Sequence, residues 1–98
     1  MPVGNGFKVL HPNGVYLNCR AIGENFTCYH NVTIGSKRGV GIPSVGNNVT
    51  VYAGAVIIGN VTLHDGCVVA ANAFVNHDVE ANTVVAGVPA KVIKRSSN

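Results

Sequence analysis

The sequence predicts an all-β domain whose short strands wind into a three-sided parallel β-helix of six-residue repeats. Three observations carry this. From Val45 every sixth residue is aliphatic: Val45, Val51, Ile57, Leu63, Val69 and Val75. Four places after each stands a second small apolar residue: Val49, Ala55, Val61, Cys67, Ala73 and Val79. Three places after each stands Asn48, Gly54, Asn60, Gly66, Asn72 or Asp78. A helix repeats its apolar face every 3.6 residues and a half-buried strand every 2. Six is even, so two apolar positions of a period can share one face of a short strand. A corner must then fall inside each period. Asn, Gly and Asp tolerate left-handed backbone angles, and their fixed offset places the corner. Three strands and three corners make one coil of about 18 residues. Coils stacked at about 4.8 Å lay each aliphatic residue on its counterpart in the next coil.

The upstream elements follow the same count. Leu17 is followed after five residues by Ile22, so one corner there is shortened. Ile22, Cys28 and Ile34 are six apart, with Phe26 and Val32 at the paired inner offset and Asn25 and Asn31 at corners. Between Ile34 and Val45 the step is eleven, and residues 36–44 read as a loop thrown out from a corner. After Glu80 the phase fails. Gly87-Val88-Pro89-Ala90 marks the exit, and residues 87–98 form an exit turn and a basic, then polar, tail that frays at its end. The 98 residues suit a single domain, 1–98, of about five coils.

Composition narrows the class. Charged residues are 11% and hydrophobic ones 47%, which argues against disorder. No apolar run follows a basic start and none approaches a bilayer span of about 20 residues, so neither a signal peptide nor a membrane anchor is expected. Cys19, Cys28 and Cys67 offer neither a disulfide framework nor a CxxC metal spacing. Cys28 and Cys67 fall on inner positions and read as small buried hydrophobes. Free thiols without a secretion signal favour the cytoplasm. The net charge of +3 and pI near 9.0 suit an anionic small ligand; without aromatic interleaving they do not make a nucleic-acid surface. Val56, Ile58, Val68 and Phe74 point outward, which suggests a subunit interface. A triangular prism packs naturally around a three-fold axis, so a homotrimer is expected.

Four segments resemble the hexapeptide-repeat acyltransferases, and within them the serine acetyltransferases and sugar O-acetyltransferases. His11-Pro12-Asn13-Gly14-Val15 resembles the catalytic His segment. Asn31-Val32-Thr33-Ile34-Gly35 resembles the strand before the acceptor loop. Pro43-Ser44-Val45-Gly46-Asn47-Asn48-Val49 resembles the strand returning from it. Ala86-Gly87-Val88-Pro89-Ala90-Lys91-Val92-Ile93 resembles the closing signature. The resemblance covers nearly the whole chain. It implies a left-handed coil, an exception to right-handed crossovers, and transfer of acetyl from acetyl-CoA to the hydroxyl of a small acceptor, with no metal.

That reaction needs a base, a stabilised oxyanion and a thioester held within reach. An imidazole, with an ordinary pKa near 6.5, suits the first task at neutral pH. The resemblance gives the role to His11. It gives the oxyanion donors to the backbone at Gly35 and Ser36. It lays the pantetheine arm of the cofactor in a groove between subunits, beside the small corner residues Ala53, Gly54, Ala71 and Asn72. It sets the basic cluster Lys91, Lys94 and Arg95 near the phosphates, with Lys91 and Arg95 as the contacts. His64 and His77 read as solvent-exposed corner residues. His30 precedes the corner Asn31 and stays open between a corner residue and a substrate contact.

Leu10 stands where serine acetyltransferases often carry an Asp, and Ile42 where they carry a second His. Both departures weigh against serine as acceptor and leave acetyl transfer intact. The competing reading is a truncated or non-catalytic assembly solenoid. A metal-dependent lyase on the same coil would need a histidine spacing that His11, His30, His64 and His77 lack.

Overall fold

The computed structural model describes residues 1–95; the polar end expected at Ser96, Ser97 and Asn98 lies outside the described residues. All regular structure among these residues is strand: β1 Lys8–Val9, β2 Tyr16–Leu17, β3 Thr27–Cys28, β4 Thr33–Gly35, β5 Ser44–Val45, β6 Thr50–Val51, β7 Val56–Ile58, β8 Thr62–Leu63, β9 Val68–Val69, β10 Phe74–Val75, β11 Thr83–Ala86 and β12 Lys91–Arg95. They stack as the three faces of a prism. The first face holds β5 and β8, extended by single bridges into a row of Val3, Ile22, Val45, Leu63 and Val79. The second is the sheet β1-β3-β6-β9-β11-β12, and the third is β2-β4-β7-β10. Among the described residues every pairing between coils is parallel, as successive turns of one coil require; β11 and β12 run antiparallel.

The register tests the six-residue count. Thr50 pairs with Val68 and Val56 with Phe74, each eighteen residues on. Thr33 pairs with Val56, twenty-three residues on, because the loop inserts five residues. Inside that loop Lys37 and Val40 bridge around Arg38 and Gly39, both at positive φ. Ser44 already pairs with Thr62 in β5.

The inner rows form the core. Cys28, Val51, Val69 and Val85 stack on the second face and Ile34, Ile57 and Val75 on the third, all fully buried. Phe26, Val32, Val49, Ala55, Val61, Cys67, Ala73 and Val79 fill between them. Burial of each larger side chain contributes about 1.5–3 kcal/mol. Phe26 also stacks on Phe7 at 5.8 Å. Burial pushes the thiols up, Cys67 to about 12 and Cys19 and Cys28 to about 11, as small buried hydrophobes require.

At the corners Asn25, Asn31, Asn48, Gly54, Gly66 and Asn72 take positive φ as the sequence predicts. Two corners differ. Gly59 turns the chain in place of Asn60, and the short corner at Asp78 has no positive φ, while Asn82, three residues after Val79, continues the column of Asn25, Asn48 and Gly66. The columns also show why Asn and Gly alternate. A Cβ on Gly14 would run into the Asn31 Oδ1, and one on Gly54 into the Asn72 Oδ1, so an Asn side chain occupies the space its neighbouring Gly leaves. Where Asn stacks on Asn, the Asn25 Nδ2 donates to the Asn48 Oδ1 at 3.1 Å.

One expectation needs correction. The phase does not fail after Glu80: Val79 lies beside Leu63 and Val85 beside Val69, each sixteen residues on. The slip falls earlier, in a short corner between Val75 and Val79. The fold therefore comprises four complete coils and two faces of a fifth, in keeping with the expected count of about five. Residues 91–95 turn back as β12 on β11, with a bulge between Val84 and Val85. Pairing gives the last exposed edge of the second face a partner, which an isolated tail would leave open.

Candidate functional site

One edge of the prism, where the second face turns into the third, gathers most of the singled-out residues. The backbone shows how. Leu10 N donates to the Cys28 carbonyl at 2.8 Å and Asn31 N to the Asn13 carbonyl at 2.8 Å. Leu10 is thus level with Tyr29, and Asn13 with His30. His11 and Pro12 are two extra residues at this corner of the first coil. His11 takes φ 58°, and its carbonyl accepts from Asn13 N at 2.8 Å. A non-glycine residue in this region costs of order 1–3 kcal/mol and is held only where its surroundings over-determine it. The insertion throws the imidazole out of the coil's regular outline.

Beside it lies a cleft of about 440 Å³ lined by His11, Asn13, His30 and Asn31. The two imidazoles meet edge to face, with centroids 6.2 Å apart and planes at 84°. None of the side-chain hydrogen bonds among the described residues joins them. Both rings are exposed.

The same edge continues up the coils. Gly54 N donates to the His30 carbonyl at 3.1 Å and Asn72 N to the Ala53 carbonyl at 2.9 Å, which sets Ala53 over His30 and Ala71 over Ala53. Ala70 is level with Ala86 through its bond to the Val85 carbonyl, and Ala86 pairs with Lys91. Four steps of about 4.8 Å thus separate the His11 level from the fifth coil, and one more reaches Lys91. Along the second face beside this edge Tyr29 and Tyr52 stack at 4.9 Å.

Three singled-out residues lie elsewhere in the single chain. Gly35 accepts from Gly59 N at 3.0 Å, so Gly35 and Ser36 sit at the edge joining the third and first faces, across a whole face from His11. Arg95 pairs with Thr83 at the far end of β12, and its guanidinium meets Glu80 Oε1 at 3.0 Å. His30 belongs to the cleft. Sequence reasoning left it open because the two extra residues between Val9 and Leu17 hide that Asn13 is level with it. Counting from Val9, an inner residue paired with Cys28, would have exposed the alignment.

His77 is no idle corner residue. Its Nδ1 lies 2.9 Å from the Asp78 carbonyl and its Nε2 2.8 Å from the Ala90 carbonyl. A neutral imidazole can donate from only one ring nitrogen, so both bonds form only in the imidazolium. The Asp78 carbonyl first, then that of Ala90, therefore raise its pKa.

Residues 43–77 match the sequence family described as Bacterial transferase hexapeptide (six repeats). The serine acetyltransferase of Staphylococcus xylosus is 35% identical over 95% of this chain and 45% of its own length. Among solved structures, the serine acetyltransferase of Brucella abortus strain S19 superposes with a TM-score of 0.92 at 29% identity, over 98% of this chain and 40% of that one. The same enzyme in complex with coenzyme A gives 0.89 at 30%, covering 97% and 40%. Soybean serine acetyltransferase complexed with serine gives 0.88 at 35%, covering 93% and 39%. Over nearly its whole length the chain is similar to hexapeptide-repeat serine acetyltransferases. Its fold is the left-handed parallel β-helix of these neighbours. The chain spans a little under half the length of the curated relatives it matches.

Proposed function

We propose that this chain carries the transfer site of an acetyl-CoA-dependent O-acetyltransferase, with His11 as general base. The observation that supports this most is the single edge that holds an imidazole on a two-residue insertion at one end and Lys91 at the other, with Ala53, Gly54, Ala71 and Asn72 between them. Small side chains leave room for a pantetheine arm, and a Cβ at Gly54 would be blocked by Asn72. Lys91 is exposed and suits the phosphates as a point charge.

In the reaction His11 takes the proton of the acceptor hydroxyl as its oxygen attacks the thioester carbon. The tetrahedral intermediate collapses, the carbon–sulfur bond breaks, and the leaving thiolate takes the proton from His11. The backbone at Gly35 and Ser36, a face away in the single chain, would act as oxyanion donor from a neighbouring copy of a homotrimer. Arg95 would reach phosphate from β12 by leaving its exposed pair with Glu80, a contact worth roughly 0–1 kcal/mol. The acceptor is a small hydroxylated molecule, serine or a sugar; Leu10 and Ile42 weigh toward the sugar. Buried thiols suit the cytoplasm.

The test is thiol release from acetyl-CoA with a panel of amino acids and sugars. Release that depends on one acceptor is expected. A folded protein that releases no thiol with any of them would refute the assignment and return the chain to an assembly role.

A further inference from the structure

We propose that His30 is a second catalytic group of this transfer, its ring N–H donating to the thioester carbonyl oxygen as that oxygen becomes the oxyanion. The inference rests on the acetyl-transfer reading above and adds to it a residue for which that reading has no role.

Position comes first. Along the edge the order is His11 beside Asn13, then His30, then Ala53, then Ala71. A thioester laid along the small residues meets the level of His30 before it reaches His11. Separation comes second. A base nitrogen stands about 2.6–3.2 Å from the hydroxyl oxygen it deprotonates, and that oxygen about 3–3.5 Å from the carbon it attacks. The acyl carbon thus lies roughly 6 Å along the path from His11, and the His30 ring centre lies 6.2 Å from that of His11. Bonding comes third. His30 does not hydrogen-bond the His11 ring, so it is not the group that orients the base. Both rings line the same cleft, which gives the reacting atoms room beside them.

The chemistry balances without a further proton carrier. The hydroxyl proton goes to His11 and the new carbon–oxygen bond forms. The carbonyl π pair moves onto the oxygen facing His30, then returns as the thiolate leaves and is protonated by His11. His30 only donates a hydrogen bond. An imidazole keeps at least one N–H in either protonation state, so the role does not require titration. Preorganised donors of this kind are worth about 10²–10³ in kcat when removed singly.

The experiment measures kcat and KM for thiol release in the wild type, His30→Ala and His30→Gln, alongside their melting temperatures. His30→Ala is expected to lower kcat about 100-fold with the acceptor KM changed less than about threefold. His30→Gln keeps a neutral N–H donor and is expected to recover about tenfold of that loss. Melting temperatures should stay at the wild-type value, since the ring is exposed. An unchanged kcat in His30→Ala, a rise in acceptor KM alone, or a His30→Gln no better than His30→Ala would each overturn the role. A wild type that transfers acetyl while His30→Ala is unimpaired rejects only this proposal; a wild type that transfers none rejects the underlying reading with it.

Discussion

Positive φ in this chain is mostly the property of Asn and Gly at corners, where a short amide or a bare hydrogen relieves the clash that other side chains suffer. Among the described residues His11 and Arg38 are the others that adopt it. Arg38 sits in the tight turn of the extruded loop; His11 lies at a corner whose neighbouring coils carry no insertion. A residue held at such a cost in a cleft points to function. His11→Ala is expected to lower kcat for acetyl transfer at least about 100-fold while the fold is retained, since the ring is exposed; steady-state kinetics and circular dichroism check this together. Unchanged turnover in the folded variant removes His11 from the mechanism. The corners were legible from single residues because an offset of three carries an Asn or Gly in nearly every period. Gly59 and Asn82 were not: Gly59 turns the chain one residue before that offset, and Asn82 keeps the offset from Val79 but lies beyond the slip between Val75 and Val79 that hides the phase.

At the scale of elements, the C-terminal hairpin shows what pattern cannot convey. In β12 every residue is exposed, so no alternation marks it as a strand, and its pairing with β11 depends on the exit turn. His77 ties that turn to the preceding corner through the Ala90 carbonyl. The sign of its pH dependence follows from the raised pKa. Its stabilising contribution is fully present below the ordinary value of 6.5 and is lost as pH rises through the higher folded-state value. The wild type is therefore expected to lose melting temperature between about pH 6 and a mildly alkaline pH, and His77→Gln should lose less over the same range. Thermal melts at both pH values check this; equal losses in the two proteins would show that the clamp contributes nothing.

Over the whole molecule, the six-residue period dictated three faces and a continuous core, and both were legible because buried rows must repeat. The shared edge was less so. Ala53, Gly54, Ala71 and Asn72 could be named from resemblance, but their alignment with His11 and His30 depends on the two extra residues before Leu17. The place of Lys91 above them depends on the slip between Val75 and Val79. Neither irregularity leaves a distinctive residue behind. With the edge assembled, Lys91→Ala is expected to raise the KM for acetyl-CoA about tenfold and leave kcat near the wild-type value, because a phosphate contact holds the ground state and the transition state alike. An unaffected KM would release Lys91 from the phosphates. A crystal structure with coenzyme A bound examines the edge as a unit. The thiol is expected within reach of the His11 and His30 rings, with the chain of the ligand beside Ala53, Gly54 and Ala71 and its phosphates toward Lys91. Coenzyme A lodged on another edge, with its sulfur remote from His11, would contradict this.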